Sequence, residues 1–453
     1  MRIVIGGGGK VGTFLCQELS KANHDVFLIE MKEQILQDII DMNDITGIVG
    51  NAADYETLME AEIHRADMFI AVTSSDEVNM IAAILAKHLG AHHTTVRVRN
   101  PIYTNKNNML NQGLGLDVLI NPDYEAAFHI AGLIRNSHAL NIESFSNNRV
   151  SLIELHIDPG SKLHNMPLVE FRQRFGAILV TVIERNGEVI IPDGTTRLQT
   201  GDNFFIVGER SAISNFYTLV GRSEKTIRSV LILGGGHISF YLAKLLESSG
   251  KEITILEVDP ARAEELSEQL PFARILQGDG SDQDFLEEAR ISSYDCMVTL
   301  TGIDEENIIA SLFGLHKGVQ KIITKVNRTN ILKLLQNQGI DAVVTPKFLV
   351  ANRILKKVRS VESSRSSNVD DIYRIAGNNA EALMFTINKE SRALNIPLRK
   401  LKIRKDAIIA CILRGSQIIY PDGNTTIQCS DQVLVVTTSK LFDDIDDILE
   451  GKA

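Results

Sequence analysis

The sequence predicts an α/β protein with two doubly wound parallel sheets, each followed by a small β-rich α+β domain, in a tandem duplication. Three observations lead to this prediction. The two halves of the chain carry the same motifs in the same order. The first part of each half alternates short aliphatic runs with amphipathic helical segments. The remainder of each half contains short strand-like runs separated by turn residues.

The duplication is visible in matched segments that keep a nearly constant spacing. The matched pairs are residues 3–12 with 230–239, 27–30 with 254–257, 50–54 with 278–282, and 67–73 with 295–301. Across these pairs the offset drifts only from 227 to 228 residues. Similarity continues to the Pro-Asp-Gly turns at 192–194 and 421–423. Each repeat is therefore a long α/β unit followed by a shorter unit.

The periodicity of apolar residues predicts the elements of the long unit. Predicted strands of the first copy are 2–5, 26–30, 46–49, 68–73 and 94–98, and predicted helices include 12–22 and 77–89. The strands are nearly all apolar, which is typical of a parallel sheet covered by helices on both faces. We expect Rossmann-like domains at 1–135 and 227–358.

We predict that the short units are β-rich domains at 140–222 and 371–453. In the first copy we predict strands at 151–157, 177–184, 188–191 and 203–207, and one helix around 167–174. Turn signals such as Pro-Asp-Gly separate the strands. The Ser-rich segment 360–367 is the best linker candidate. The acidic segment 443–447 is expected to be a solvated terminal helix or tail.

Composition excludes several classes of function. The net charge of −10 argues against nucleic acid as the main partner, because duplex binding needs Lys and Arg to displace counterions. The four cysteines form no C-x-x-C pair, so we expect neither zinc nor a disulfide framework, and no metal site is predicted. No segment approaches the roughly 18 to 20 apolar residues of a membrane span, and no signal peptide is expected. A membrane role would therefore need a membrane-embedded partner.

The first candidate site is the segment Gly7-Gly8-Gly9-Lys10-Val11-Gly12, which has the spacing G-x-G-x-x-G. It follows a predicted strand and opens a predicted helix, and Glu30 ends the next strand eighteen residues after Gly12. This context is that of the dinucleotide-binding fingerprint. Gly7 permits a tight turn, Gly9 lets a pyrophosphate approach the backbone, and Gly12 lets the helix pack closely on the sheet.

The start of the helix and Glu30 together predict the class of ligand. Free N–H groups and the positive end of the helix dipole attract phosphate groups. Glu30 would accept hydrogen bonds from ribose hydroxyls and repel a 2′-phosphate, which favours NAD(H) or an adenosine nucleotide over NADP. The alternative is a glycine-rich turn that binds nothing.

Two further loops of the first copy lie where ligands bind in open α/β sheets. Asn51 and Ala52 follow the third strand, where an adenine contact and a plain turn are equally good interpretations. Thr73 and Ser74 follow the fourth strand.

The fifth strand ends in two arginines, Arg97 and Arg99. One of them could pair with a phosphate, and the other could equally be a surface charge or an interface residue. The adjacent His92 and His93 lie in a predicted loop, where solvation is a more common role than metal binding.

The second copy keeps the motif less strictly. Its candidate residues are Gly234, Gly235, Gly236, His237, Ile238 and Glu257, with Asp279 at the position of Asn51. Ser239 replaces the third glycine of the motif, although Ser is small enough for the helix to remain close to the sheet. Lys325 replaces Arg97, and Asn327 replaces Arg99. We therefore expect the two sites to differ in affinity or in preferred nucleotide.

Taken together, these motifs resemble the regulator-of-potassium-conductance (RCK, or KTN) family. The resemblance rests on the duplicated order, the glycine-rich motif with its acid, the segment Val-Thr-Ser-Ser-Asp-Glu-Val-Asn at 72–79, and Val-Arg-Val-Arg-Asn-Pro at 96–101. It covers essentially the whole chain. It implies two N-terminal-type and two C-terminal-type RCK domains. By match to the family's motif, the first site comprises Gly7 to Val11, Glu30, Thr73, Ser74 and Arg97, and the second comprises Gly234 to Ile238 and Glu257.

The resemblance also implies a function. Such a protein would be a cytoplasmic regulatory subunit, peripheral on the inner face of the cell membrane, in a homo-oligomeric ring that is expected to be a tetramer. Its partner would be a membrane potassium transporter subunit of the TrkH or TrkG type. NAD(H), with ATP or ADP as further candidates, would change the shape of the ring and hence the gating of the transporter.

Two other functions compete with this interpretation. An NAD-dependent oxidoreductase would share the fingerprint but needs a proton donor and acceptor. None of the eight Tyr has a Lys four residues later, and the short repeated β-rich units would form an unusual substrate domain. We therefore expect no enzymatic activity. A nucleotide-sensing scaffold for a different partner stays open, and co-purification would distinguish it.

Overall fold

The computed structural model describes residues 1–104, 113–146, 149–221, 227–328, 340, 342–363, 369–377, 379–388, 391–439, 442 and 444–450. The chain forms two compact units. One comprises Met1–Ile134 with Ile227–Leu355, and the other comprises Arg135–Thr226 with Lys356–Ala453. The first unit contains two parallel sheets and the second contains two antiparallel sheets.

The first parallel sheet begins at the N-terminus. Its strands are β1 (Arg2–Gly6), β2 (Asp25–Glu30), β3 (Thr46–Val49), β4 (Met68–Ala71), β5 (His93–Arg97) and β6 (Val118–Ile120). Its helices are α1 (Lys10–Lys21), α2 (Glu33–Ile40), α3 (Tyr55–Glu60), α4 (Asp76–His88), α5 (Pro101–Thr104) and α6 (Pro122–Arg135). The strand order is β3-β2-β1-β4-β5-β6, with all neighbours parallel. In this order the ligand crevice lies beyond the carboxyl ends of β1 and β4.

Apolar residues at helical and strand spacing hold this domain together. Ile3, Val4 and Ile5 of β1 are fully buried. On α1 the buried residues are Gly12, Leu15, Cys16 and Leu19, which recur at the three- and four-residue spacing of one helix face. Burying a side chain such as Leu15 stabilises the fold by about 2 kcal/mol.

The first antiparallel sheet follows. Its strands are β7 (Asn141–Phe145), β8 (Val150–His156), β9 (Ile178–Arg185), β10 (Glu188–Ile190) and β11 (Asn203–Gly208), and its helices are α7 (Leu168–Phe175) and α8 (Arg210–Leu219). The order is β10-β9-β11-β8-β7. The predicted helix and four strands of this domain are present, whereas β7 and α8 were not predicted.

The second parallel sheet repeats the first. Its strands are β12 (Ser229–Leu233), β13 (Glu252–Glu257), β14 (Arg274–Gln277), β15 (Cys296–Thr299), β16 (Lys321–Lys325) and β17 (Ala342–Val344). Its helices are α9 (His237–Leu246), α10 (Pro260–Gln269), α11 (Gln283–Glu288), α12 (Asp304–His316) and α13 (Pro346–Ser363). The order β14-β13-β12-β15-β16-β17 is that of the first sheet.

The second antiparallel sheet completes the chain. Its strands are β18 (Val369–Ile375), β19 (Ala380–Thr386), β20 (Ala407–Arg414), β21 (Gln417–Ile419) and β22 (Gln432–Thr437). The order β18-β19-β22-β20-β21 reproduces the first antiparallel sheet read from its β7 edge. A side-chain ion pair recurs as well, because Arg185 binds Asp202 and Arg414 binds Asp431, each at 2.7 Å. The predicted fold class and duplication are thus confirmed.

Two predictions for the C-terminal half were wrong in part. The proposed linker 360–367 starts inside α13, which continues to Ser363, and residues 364–367 lie outside the described residues. The acidic segment 443–447 is not a solvated tail over its described residues, because Ile445 and Ile448 are buried in a short 3-10 helix. Apolar side chains between the acids anchor this segment.

No helix in the described ranges is long and apolar enough to cross a bilayer.

Candidate functional site

The first glycine-rich loop joins β1 to α1, and two of its glycines are required by close packing. Gly7 has φ +109°, a conformation that side chains rarely adopt, and a Cβ there would lie 2.9 Å from the Thr73 backbone. A Cβ on Gly12 would lie 1.9 Å from the Gly7 carbonyl oxygen. Both glycines therefore have the packing roles that the motif predicts.

Gly9 differs because the space that a side chain would occupy at this position is open. A Cβ on Gly9 would meet nothing within 4 Å, and the residue caps α1 without a side-chain hydrogen bond. The first N–H groups of a helix have no intrahelical acceptor, and the first turn of α1 contains no acidic residue. The loop thus presents backbone donors to an accessible space, with Lys10 exposed beside them.

Glu30 is oriented by the loop itself. Its Oε2 accepts a hydrogen bond from the Gly8 N–H at 2.7 Å, and its Oε1 accepts one from the Lys32 N–H at 3.0 Å. Each carboxylate oxygen retains acceptor capacity, so the residue can still bind ribose hydroxyls.

Asn79 fixes the loop after β4. Its Oδ1 accepts hydrogen bonds from the N–H and the hydroxyl of Thr73, at 2.8 and 2.7 Å. Its Nδ2 donates to the carbonyl oxygens of Thr73 and Arg97, at 3.2 and 2.9 Å. Asn79 is fully buried, and in the second copy Asn307 accepts from the Thr301 N–H and donates to the carbonyl oxygens of Thr301 and Lys325. The loop that carries Thr73 is therefore held rigidly at the sheet edge.

Arg97 and Arg99 have different environments. Nη1 of Arg97 donates to the Thr73 carbonyl oxygen at 2.8 Å, while its buried Nε has no hydrogen-bond partner among the described residues. Burial lowers the pKa of Arg97, and the charge of Arg99 lowers it further. Arg99 instead donates to Asp123 at 3.1 Å. Arg97 and Arg99 thus differ, because Arg99 forms an ion pair with Asp123 and Arg97 donates to a backbone carbonyl.

The other predicted site residues of the first copy differ in their exposure to solvent. Ser74 is exposed in the loop after β4. Asn51 is exposed, and its Oδ1 accepts the Ala53 N–H at 3.0 Å, as in a turn. Ala52 is only 4 % exposed and packs below Gly6, where a Cβ would lie 2.8 Å from the Ala52 methyl group. Ala52 therefore lies in the core below the loop.

The second glycine-rich loop keeps the same backbone. Gly234 has φ +92°, and a Cβ on Gly236 would meet nothing within 4 Å. Glu257 accepts the Gly235 N–H through Oε2, as Glu30 does in the first copy. Ser239 is fully buried and its hydroxyl donates to the Gly234 carbonyl, so a hydrogen bond replaces the close contact made at Gly12.

Other second-copy residues differ from their first-copy counterparts. Lys325 donates through Nζ to the Leu300 carbonyl at 3.2 Å, and burial lowers its pKa. Asp279 accepts the N–H and hydroxyl of Ser281 at 2.8 and 2.7 Å, an arrangement typical of a turn. Ile238 is 8 % exposed at the start of α9.

Each glycine-rich loop, with the helix that follows it, lies beside the first turn of a helix from the other copy. These helices are α6 for the second loop and α13 for the first. His237 Nδ1 lies 3.4 Å from Oδ2 of Asp123, and Tyr241 accepts a hydrogen bond from the Asn121 side chain at 2.9 Å. On the other side, the rings of Phe14 and Phe348 lie 5.0 Å apart in a T-shaped arrangement. Local motifs give no signal for these contacts, and neither Asp123 nor the residues at the start of α13 were predicted as site residues.

Solved structures share this architecture. The structure titled "Crystal Structure of the GsuK RCK domain" aligns with a TM-score of 0.62 at 18 % identity, covering 97 % of this chain and 92 % of that one. The GsuK channel bound to NAD aligns with a TM-score of 0.61 at 17 % identity, covering 97 % and 77 %. The chain therefore has the RCK fold, with its parallel and antiparallel sheets duplicated.

Sequence comparison gives the family. The TrkA-N domain family matches residues 3–122 and 230–346, and the TrkA-C domain family matches 152–221 and 383–450. A Trk system potassium uptake protein TrkA homolog of Archaeoglobus fulgidus is 33 % identical, covering 99 % of each chain. The Haemophilus influenzae Trk system potassium uptake protein TrkA is 30 % identical, covering 97 % of this chain and 96 % of that one. The chain belongs to the TrkA family, which confirms the resemblance seen in its motifs.

Proposed function

We propose that this protein is a regulatory subunit of a Trk-type potassium uptake system, and that it senses NAD(H) at its first glycine-rich loop. The observation that carries the proposal is the open space beside Gly9. This space adjoins helix N–H groups that have no intrahelical acceptor. Arg97 adds a partly buried positive charge at the same sheet edge. This combination fits a dinucleotide pyrophosphate.

Each residue of the first site has a distinct task in this proposal. The backbone of Gly7 to Gly12, with Lys10, binds the phosphates, and Glu30 binds the adenine ribose. Thr73 and Ser74 border the second half of the dinucleotide, and Asn51 borders the adenine. NAD supplies no redox step here, because its role is to bind. ATP and ADP share the phosphates, ribose and adenine, so they are further candidate ligands, and a GsuK structure is described as bound to ADP.

The second loop is proposed as a weaker site, formed by Gly234 to Ile238, Glu257 and Asp279. Its backbone matches that of the first loop, but the carboxylate of Asp123 lies beside His237. A fixed negative charge at a phosphate-binding loop opposes the binding of an anion.

Regulation requires that the nucleotide binds one conformation of the protein more tightly than another, because a ligand shifts an equilibrium only by that difference. We propose that the chain assembles into a homo-oligomeric ring, a tetramer, on the inner face of the cell membrane. The ring would bind a potassium transporter subunit of the TrkH or TrkG type. The protein would act through this conformational change and not as an enzyme.

The proposal is tested by growth of a strain that lacks this protein, across a series of potassium concentrations. We expect a growth defect at low potassium that is rescued by the intact gene, and we expect a potassium transporter to co-purify with the tagged protein. Rescue by Gly236→Asp but not by Gly9→Asp would assign the effect to the first loop. Normal growth at all concentrations, with no potassium transporter in the purified complex, would contradict the proposal.

A further inference from the structure

A cavity of about 560 Å³ lies beside the first glycine-rich loop, between the first and second copies. Its lining residues are Gly8, Gly9, Lys10, Thr13, Phe14, Gln17, Lys347 and Phe348. The first six belong to the loop and to α1. The last two belong to the start of α13 in the second Rossmann domain.

Two cations, Lys10 and Lys347, line this cavity. Among the described residues, neither Lys10 nor Lys347 forms an ion pair with a carboxylate. Burial lowers the pKa of the Lys347 ammonium, and the positive charge of Lys10 lowers it further, whereas the more weakly acting charge of Asp304 raises it. Two like charges that share one cavity repel each other, and an anion bound between them would remove that repulsion.

The position of Lys347 is fixed by aromatic packing. The T-shaped contact of Phe348 with Phe14 holds the first turn of α13 against α1. The Lys347 ammonium lies 5.3 Å from the centre of the Phe348 ring, a favourable cation–π distance. These contacts place Lys347 beside the loop, in the lining of the cavity.

We propose that Lys347 binds the phosphate groups of the nucleotide held by the first glycine-rich loop, so that the second copy completes the site of the first. This inference rests on the proposed function, because it assumes a nucleotide at that loop. The ligand class is an anionic nucleotide with at least two phosphates, since Lys10 and Lys347 offer two charges to one cavity.

The matching position in the first copy has the opposite charge. Asp123 is the second residue of α6, as Lys347 is the second residue of α13. Asp123 faces the second loop and is paired with His237 and Arg99. The duplicated fold thus places a cation at one loop and a carboxylate at the other, which makes the first loop the stronger site for anions.

The test compares nucleotide binding by the full-length protein with that of three variants. Lys347→Met removes the charge and keeps the apolar stem, and Lys347→Arg keeps the charge. Lys21→Met is the matched control, because it removes one positive charge from the exposed far end of α1. The probes are adenosine, ADP, ATP and NADH, titrated calorimetrically at low and high salt.

We expect Lys347→Met to weaken ADP and NADH binding about tenfold, the loss typical of one hydrogen bond to a charged group. The loss should be larger for ATP and absent for adenosine, and high salt should reduce it. Lys347→Arg and Lys21→Met should bind each probe as the wild type does.

Failure of this inference is distinguishable from failure of the proposed function. Wild-type protein that binds ADP and NADH, with equal affinity in Lys347→Met, would overturn the role of Lys347 and leave the proposed function intact. An equal loss for adenosine and ATP would also overturn it, because that result indicates a packing role. Wild-type protein that binds none of the probes would overturn both.

Discussion

Nδ1 of His237 lies 3.4 Å from Oδ2 of Asp123, so the first Rossmann domain places a carboxylate beside the second glycine-rich loop. Burial raises the pKa of the Asp123 carboxyl, but the hydrogen bond with His237 and the charge of Arg99 outweigh it, and the pKa lies below its usual value. Asp123 is therefore ionised at neutral pH. In our proposal this charge makes the second loop, whose backbone matches that of the first, the weaker site for phosphate.

Neutralising this carboxylate should improve the second site. We predict that Asp123→Asn raises the affinity of the second loop for ADP by about three- to tenfold, because removal of a nearby like charge contributes about 1 kcal/mol. The measurement is ADP titration in a Gly9→Asp background, where the first loop is blocked. The control is Asp38→Asn, which removes an exposed carboxylate on α2 that binds Gln34. Unchanged affinity in Asp123→Asn would show that Asp123 does not disfavour this site.

Gly12 and Gly9 should differ sharply in tolerance to a methyl group. Gly12→Ala should lower the free energy of unfolding by about 2 to 3 kcal/mol, because the new Cβ would overlap the Gly7 carbonyl oxygen, which lies 1.9 Å from its position. Gly9→Ala should change it by less than about 0.5 kcal/mol, because its Cβ would meet nothing within 4 Å. Urea unfolding of both variants tests this contrast. Equal stability of the two would contradict the packing role of Gly12.

A pH dependence is expected in the first antiparallel sheet. Burial, and then the charge of Glu184, raise the pKa of the Glu154 carboxyl to about 8. The folded state thus prefers protonated Glu154, and the unfolded carboxyl has a pKa of about 4.3. The stability contributed by Glu154 is fully present below about pH 4.3 and is lost as pH rises through about 8.

We therefore predict that Glu154→Gln becomes increasingly more stable than the wild type between pH 5 and 8.5. The slope should stay below the roughly 1.4 kcal/mol per pH unit that one proton allows, because the residue is partly exposed to solvent. Thermal or urea unfolding over this pH range measures it, with exposed Glu188→Gln as the control. A stability difference that is independent of pH would show that Glu154 is ionised in the folded protein.

Local patterns were sufficient to predict most of the fold. The apolar run at 2–5 correctly predicted β1. The helical spacing of apolar residues such as Leu15 and Leu19 correctly predicted α1. The acidic terminal segment was misread because composition emphasises its Asp residues, whereas the two buried isoleucines decide its position. Strand β7 was missed because Asn, Glu and Ser dilute its apolar pattern.

The backbone geometry of the candidate site was predictable only where a single motif contains the residues. Gly7, Gly9, Gly12 and Glu30 occupy the positions that the fingerprint predicts, because their roles depend on the local β1–α1–β2 backbone. Asn79 was not selected as a site residue, although a buried Asn recurs at the matching position of α12 as Asn307. No such signal exists for Lys347, because its contact depends on how α13 packs against α1.

The most direct test of nucleotide binding at the first loop is a calorimetric titration of NADH into the wild-type protein, Gly9→Asp and Gly236→Asp. The two glycines are a matched pair, with φ −68° and −69°, ψ −174° in both, and no atom within 4 Å of an added Cβ. Both substitutions should therefore leave the fold intact. We predict that Gly9→Asp weakens NADH binding at least about 100-fold, by steric and charge conflict with the pyrophosphate, while Gly236→Asp retains the tight site. NADH affinity that is unchanged in Gly9→Asp would contradict the assignment of the nucleotide to the first loop.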